Sequence, residues 1–137
     1  MKKTVLFLCW GNACRSIMAE ALTRHHWGDK VRVLSSGLNP LGYIPQETLT
    51  VLEEAGVSTE GLRSKRMEEL DLESVDLVVN LSGTSLEGRL PPKLKGKRVI
   101  DWYIRDPYGY SLDSFRQTRD AIEWLVTEKL PRWLEEG

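Results

Sequence analysis

A cysteine and an arginine, Cys9 and Arg15, bracket a five-residue stretch, Trp10-Gly11-Asn12-Ala13-Cys14. A thiol attacks only as thiolate, and a helix N-terminus with a neighbouring guanidinium favours that form. The guanidinium can also grip two oxygens of a tetrahedral oxyanion. Successive backbone N–H groups in such a loop bind the same anion. With Cys9 beneath the central atom, one set of donors both activates the nucleophile and stabilises charge on the transferring group. A leaving oxygen then needs a proton. Asp106, in Arg105-Asp106-Pro107-Tyr108, is the candidate general acid, and Pro107 stiffens the turn that would aim it. Asp101 is a second carboxylate, either orienting substrate or satisfied in its own turn. The plainer alternative makes Cys9 a buried strand-end residue, Arg15 a surface residue and Asp-Pro-Tyr-Gly an ordinary turn. A strand before the loop, Gly11 within it and a helix after it favour the chemical reading.

Those side chains need elements to hold them. Residues 3–8 form an apolar run that reads as a buried strand, and residues 16–27 read as a helix with Met18, Ala19, Ala21 and Leu22 facing the core. Further strands are expected at 30–34, 76–81 and 97–101, the first of these closed by Ser35, Ser36 and Gly37. A helix is expected over 45–55, stopped by Gly56. A long helix from Leu112 to about Leu134 carries the stripe Leu112, Phe115, Ile122, Leu125, Val126 and Leu130, with a kink at Pro131. Residues 70–75 are ambiguous. Alternating strands and helices imply a small doubly wound α/β fold, a four-stranded parallel sheet with helices on both faces. Ligands in such sheets bind at the carboxyl ends of the strands, where Cys9 falls.

The chain of 137 residues is long enough for one domain, 1–137, with a substantial core. It is 41% hydrophobic and 28% charged, with net charge −1, a balance that offers no attraction to nucleic acid or membrane. The run after Lys3 is too short for a signal peptide or a membrane span, so a cytoplasmic location is expected. Two cysteines, Cys9 and Cys14, make no secreted disulfide framework. Zinc held by Cys9, Cys14, His25 and His26 fits no common ligand spacing, so neither metal nor other cofactor is expected.

The stretch Cys9-Trp10-Gly11-Asn12-Ala13-Cys14-Arg15-Ser16, continued by Ile17-Met18-Ala19-Glu20, resembles the phosphate loop of the low-molecular-weight protein tyrosine phosphatases and of the arsenate reductases that share their fold. The resemblance covers nearly the whole chain. It implies a phosphate loop at 9–16 and an acid loop at 103–110. Trp10, Gly11, Asn12, Ala13, Cys14, Arg15 and Ser16 would bind phosphate, and Cys9, Arg15 and Asp106 would carry catalysis. Asn12 would brace the loop by bonding Ser35, the alternative for Ser35 being a surface position. Ser16 would hydrogen-bond the thiolate or cap the helix. Trp10, Tyr43 and Tyr108 would form the substrate rim, while Tyr103 and Tyr110 read as packing or surface residues. Ile17 replaces a usual proline, and Arg105 replaces a proline ahead of the acid.

The reading favoured on these grounds is a phosphomonoesterase acting on phosphotyrosine-type substrates through a phosphocysteine. Its partners would be a phosphorylated protein or small aryl phosphate, with phosphate or another oxyanion in the loop. Arsenate reduction by Cys9 with Cys14 or an external thiol is the alternative. Met18 without a preceding proline, and Ser64-Lys65, resemble the reductase branch. The segment Asn80-Leu81-Ser82-Gly83-Thr84-Ser85, through Pro92, lacks the extra cysteines of thioredoxin-coupled reductases. A phosphoarginine phosphatase and a non-enzymatic phosphoryl carrier or phosphate sensor complete the set. A Cys9–Cys14 disulfide could protect the nucleophile, or Cys14 could be an inert core residue.

Overall fold

The structure, a computed structural model, describes residues 2–136. Four parallel strands, β1 (Lys3–Cys9), β2 (Val31–Gly37), β3 (Leu77–Asn80) and β4 (Arg98–Asp101), lie in the order β2-β1-β3-β4. The helices are α1 (Arg15–Trp27), α2 (Gln46–Glu54), α3 (Leu112–Glu128) and α4 (Leu130–Glu136). β1 is flanked on both sides and covered on both faces, which is why it reads as an unbroken apolar run. Its alternate residues divide the core. Val5, Phe7 and Cys9 join Met18, Leu22, Val51, Phe115, Ile122 and Val126 on the face covered by α-helices. Leu6 and Leu8 join Met67, Leu72, Val75, Val78, Leu86 and Leu94 on the other. Short 3-10 helices at Met67–Glu69, Leu72–Ser74 and Pro92–Leu94 cover that second face. The α/β fold expected from the sequence is therefore present, with the ambiguous 70–75 segment supplying one of these turns. No helix among the described residues is long and apolar enough to cross a membrane.

Two boundaries differ from expectation. β2 does not stop before Ser35-Ser36-Gly37 but runs through them, because Cys9 pairs with Gly37 in the parallel register. The serines look like a turn in sequence; here they are strand residues whose hydroxyls are buried. The last helix breaks at Lys129 rather than kinking at Pro131. Pro131 then sits in the first turn of α4, where its missing N–H costs nothing.

Gly37 also shapes the loop it faces. A Cβ there would lie 2.9 Å from the Asn12 nitrogen and 2.9 Å from the Trp10 oxygen, both backbone atoms with no freedom to swing away. Gly37→Ala is expected to cost about 1–3 kcal/mol of stability, as overpacking does, and to weaken oxyanion binding with it. Urea unfolding with and without phosphate checks both.

Candidate active site

β1 delivers Cys9 at its carboxyl end, and the chain turns at once into α1, whose first residue is Arg15. The turn between them is turned inside out relative to a surface loop. The carbonyl of Cys9 accepts from Leu38 N–H (3.0 Å), Trp10 from Asn39 (2.8 Å), and Gly11 from Leu41 (2.8 Å). Ser64 Oγ also donates to the Gly11 carbonyl (3.1 Å), and Thr48 Oγ1 to that of Ala13 (2.9 Å). In a trans peptide the following N–H points opposite to the carbonyl. Those of Trp10, Gly11, Asn12 and Cys14 are thus directed away from the segments behind the loop. A tetrahedral anion needs this arrangement of donors.

Asn12 takes a left-handed backbone conformation (φ 46°), unusual for a residue with a side chain. Its amide anchors it. Oδ1 accepts from Lys65 N–H (2.7 Å), which fixes the amide's orientation. Nδ2 then donates to Ser16 Oγ (2.7 Å) and Ser35 Oγ (3.0 Å). Because Ser16 Oγ receives this proton, its own hydroxyl is free to donate to Cys9 Sγ, 2.9 Å away. The helix cap is Cys14 with no side-chain cap bond, so Ser16 serves the thiol and not the helix end. Ser35 is fully buried and is not the surface residue of the plainer reading.

Arg15 is only 5% exposed. Nη1 donates to the carbonyls of Leu81 (2.6 Å) and Ile104 (3.2 Å), and Nη2 lies 3.4 Å from Asp106 Oδ2. Nε is buried with no partner among the described residues. Asp106 is half-exposed, its Oδ1 accepting from Tyr108 N–H (3.1 Å) in the tight turn that Pro107 allows. A cavity of about 150 Å³ is lined by Cys9, Trp10, Arg15, Leu41, Asp106 and Tyr108, with Gly11, Ala13 and Cys14. Tyr43 does not line it but meets Tyr108 hydroxyl to hydroxyl at 2.6 Å. Tyr103 and Tyr110 are exposed, and Arg105 lies over the Tyr110 ring, 4.5 Å from its centroid. Asp101 accepts from Asn80 Nδ2 (2.8 Å) and lines a separate open groove of about 880 Å³ beyond β4. It is satisfied within the sheet.

Both cysteines are free thiols and buried. Burial pushes the Cys14 thiol up to about 12, against the opposing pull of a hydrogen bond with Thr48. Cys14 should therefore resist iodoacetamide at pH 8 while Cys9 reacts, and tandem mass spectrometry of the peptide that holds both resolves the two sites. The raised value also has a stability consequence. Unfolded Cys14 ionises near 9 and the folded thiol does not until about 12, so stability is lost as pH rises between them. Cys14→Ala should flatten that alkaline slope in chemical unfolding.

Sequence reasoning had no local signal for Leu41 or Thr48, whose contacts with the loop are long-range. His26 Nε2 bonds Glu123 (3.0 Å), and among the described residues no His, Cys, Asp and Glu side chains gather as a metal site.

A thiol at the carboxyl end of a parallel strand, ringed by loop N–H groups and an arginine, is the arrangement of an enzyme of the phosphate-loop fold. The family model for low molecular weight phosphotyrosine protein phosphatase matches residues 4–136, and the chain belongs to that family. It is 36% identical over 123 residues to "Arsenate reductase 1" of Bacillus cereus, covering 88% of this chain and 89% of that one. It is 33% identical over 125 residues to "Glutaredoxin arsenate reductase" of Synechocystis, covering 90% and 93%. A solved structure described as an arsenate reductase in the phosphate binding state superposes with TM-score 0.84 at 30% identity, covering 95% of this chain and 98% of the other. These relatives overturn the phosphotyrosine phosphomonoesterase expected from the sequence. The loop motif is common to the phosphatase family and to these reductases, so by itself it does not separate the two readings.

Proposed function

We propose that this chain reduces arsenate to arsenite, with Cys9 as nucleophile and external thiols as the electron source. The similarity to arsenate reductases over about nine-tenths of the chain carries the reading. The Cys9 thiolate attacks arsenic(V) held by the loop amides and Arg15. Asp106 gives a proton to the departing oxygen, water leaves, and a Cys9 S–As bond forms. A thiolate then attacks Cys9 Sγ. The new S–S bond replaces S–As, whose electron pair stays on arsenic, and arsenite departs. A second thiol reduces the mixed disulfide. One arsenate and two thiols give one arsenite, one disulfide and one water.

The resolving thiol is external because this chain holds only Cys9 and Cys14, and Cys14 is buried with its ionisation pushed up to about 12. The test is turnover of purified protein with arsenate and glutathione, with glutaredoxin or thioredoxin added in parallel. The expected result is arsenate-dependent thiol oxidation at one disulfide per arsenite. Hydrolysis of para-nitrophenyl phosphate without any arsenate-dependent thiol oxidation would overturn it.

A further inference from the structure

Behind the oxyanion loop lies a buried ammonium that the chemistry so far does not use. Lys65 Nζ donates to Arg63 O (2.7 Å), Ser35 Oγ (3.0 Å) and Glu20 Oε1 (3.3 Å). Ser35 Oγ in turn donates to Glu20 Oε1 at 2.5 Å. Glu20 also pairs with Arg24 Nη2 (2.8 Å) on the next turn of α1. Lys65 and Glu20 are only 8% and 5% exposed, and burying a lysine disfavours its charge unless something specific holds it.

We propose that Lys65 is a positioning residue for the nucleophile: its ammonium fixes the direction of the hydrogen-bond chain Glu20–Ser35–Asn12–Ser16 that ends on Cys9 Sγ. The direction follows from donor and acceptor inventory. An ionised carboxylate only accepts, so Ser35 must give its proton to Glu20 and offer its lone pairs to Lys65 and Asn12. Asn12 Nδ2 is then held between Ser35 and Ser16, and Ser16 is left with one free proton, aimed at the thiol. The Lys65 bond to Arg63 O fixes the same short segment that puts Lys65 N–H on Asn12 Oδ1 and Ser64 Oγ on the Gly11 carbonyl. One side chain thus secures the loop by charge and by backbone.

Without the ammonium, Ser35 Oγ and Glu20 Oε1 each lose a donor, and the 63–65 segment loses its tie to the Arg63 carbonyl. With the ammonium no longer on its lone pair, the Ser35 hydroxyl is free to turn from Glu20, and its proton then competes with the Asn12 amide. The charged groups facing Lys65 are Glu20 and Arg24 from α1 and Arg63 from its own segment; burial lowers its proton affinity and Glu20 opposes this. Arg15, Asp106 and Cys14 share the cavity with Cys9 and do not touch Lys65 through any of these bonds.

The experiment reads Cys9 alkylation by iodoacetamide against pH, so it does not depend on arsenate turnover. Should the reductase reading fail, the alkylation result stands by itself. In Lys65→Ala the midpoint of the alkylation profile is expected to move up by about one pH unit. Methylammonium, which can occupy the vacated oxygen cage, should move it back, and tetramethylammonium, which has no N–H, should not. An unmoved midpoint in folded Lys65→Ala overturns the proposal. So does a shift that methylammonium fails to reverse or that tetramethylammonium reverses equally, because either means lost packing. If Lys65→Ala does not fold, Ser35→Ala carries the test, since it removes the hydroxyl that links the ammonium to Asn12. A midpoint raised by a similar amount supports the relay, and an unchanged one overturns it.

Discussion

Cys9→Ser is expected to lower arsenate reduction by at least about 10⁴-fold while leaving the loop able to hold an oxyanion. The two halves have separate physical origins. Turnover needs a thiolate, and a serine hydroxyl at the same place neither ionises in the working pH range nor forms a redox-active bond to arsenic. On the proposed reading anion binding would come from the loop amides and from Arg15, which the substitution leaves in place. Their geometry is set from behind, by bonds to Leu38, Asn39, Leu41, Thr48, Ser64 and Lys65, and none of these involves Cys9 Sγ. The measurement pairs steady-state turnover with titration of arsenate or phosphate followed through Trp10 fluorescence, since Trp10 lines the cavity. Turnover within tenfold of wild type would remove Cys9 from the mechanism.

Arg15→Lys has the second large effect, about 10²–10³-fold in kcat/KM. A lysine keeps the charge, so the loss measures geometry. The guanidinium is pinned at Nη1 by two carbonyls that lie far along the chain, Leu81 and Ile104, and its Nη2 leans towards Asp106. That leaves Nε buried and unpaired among the described residues, a situation that costs about 1–3 kcal/mol until an acceptor arrives. An oxyanion in the loop is such an acceptor. Phosphate or arsenate should therefore raise the Tm of the wild-type protein and raise that of Arg15→Lys much less. An ammonium is a single point donor and cannot hold two carbonyls and still present an N–H to the anion. Equal ligand-induced Tm shifts in the two proteins would show that Arg15 is a structural strut only.

Much of the site was legible because it is local. Cys9, Asn12, Arg15 and Ser16 fall within one strand–loop–helix passage, where spacing and residue type speak directly. Asp-Pro-Tyr alone reads as an ordinary turn, and only the Cys9 loop and the family resemblance singled out Asp106; the structure sets its Oδ2 3.4 Å from Arg15 Nη2. What escaped was non-local. Thr48 sits 35 positions from the carbonyl it holds, and Lys65 sits 53 from the amide it fixes. No periodicity marks either one. Ser35 to Gly37 were misjudged as a strand end for the same reason: a local composition of Ser and Gly looks like a turn, and pairing with the end of β1 overrides it. The activity was misjudged for a different reason. A thiolate in an oxyanion cradle serves phosphorus and arsenic alike, and the difference between hydrolysis and reduction lies in which second nucleophile arrives.

The clamps on Arg15 have a consequence for the newly made chain. During synthesis the reactive loop emerges before its carbonyl anchors, which follow 66 and 89 positions later. Until Leu81 and Ile104 are in place the guanidinium is not held over the thiol. The nascent protein thus carries an ordinary cysteine, and an assembled electrophile trap exists only once nearly the whole domain has left the ribosome and closed. The rate at which Cys9 reacts is, in that sense, a gauge of completed folding.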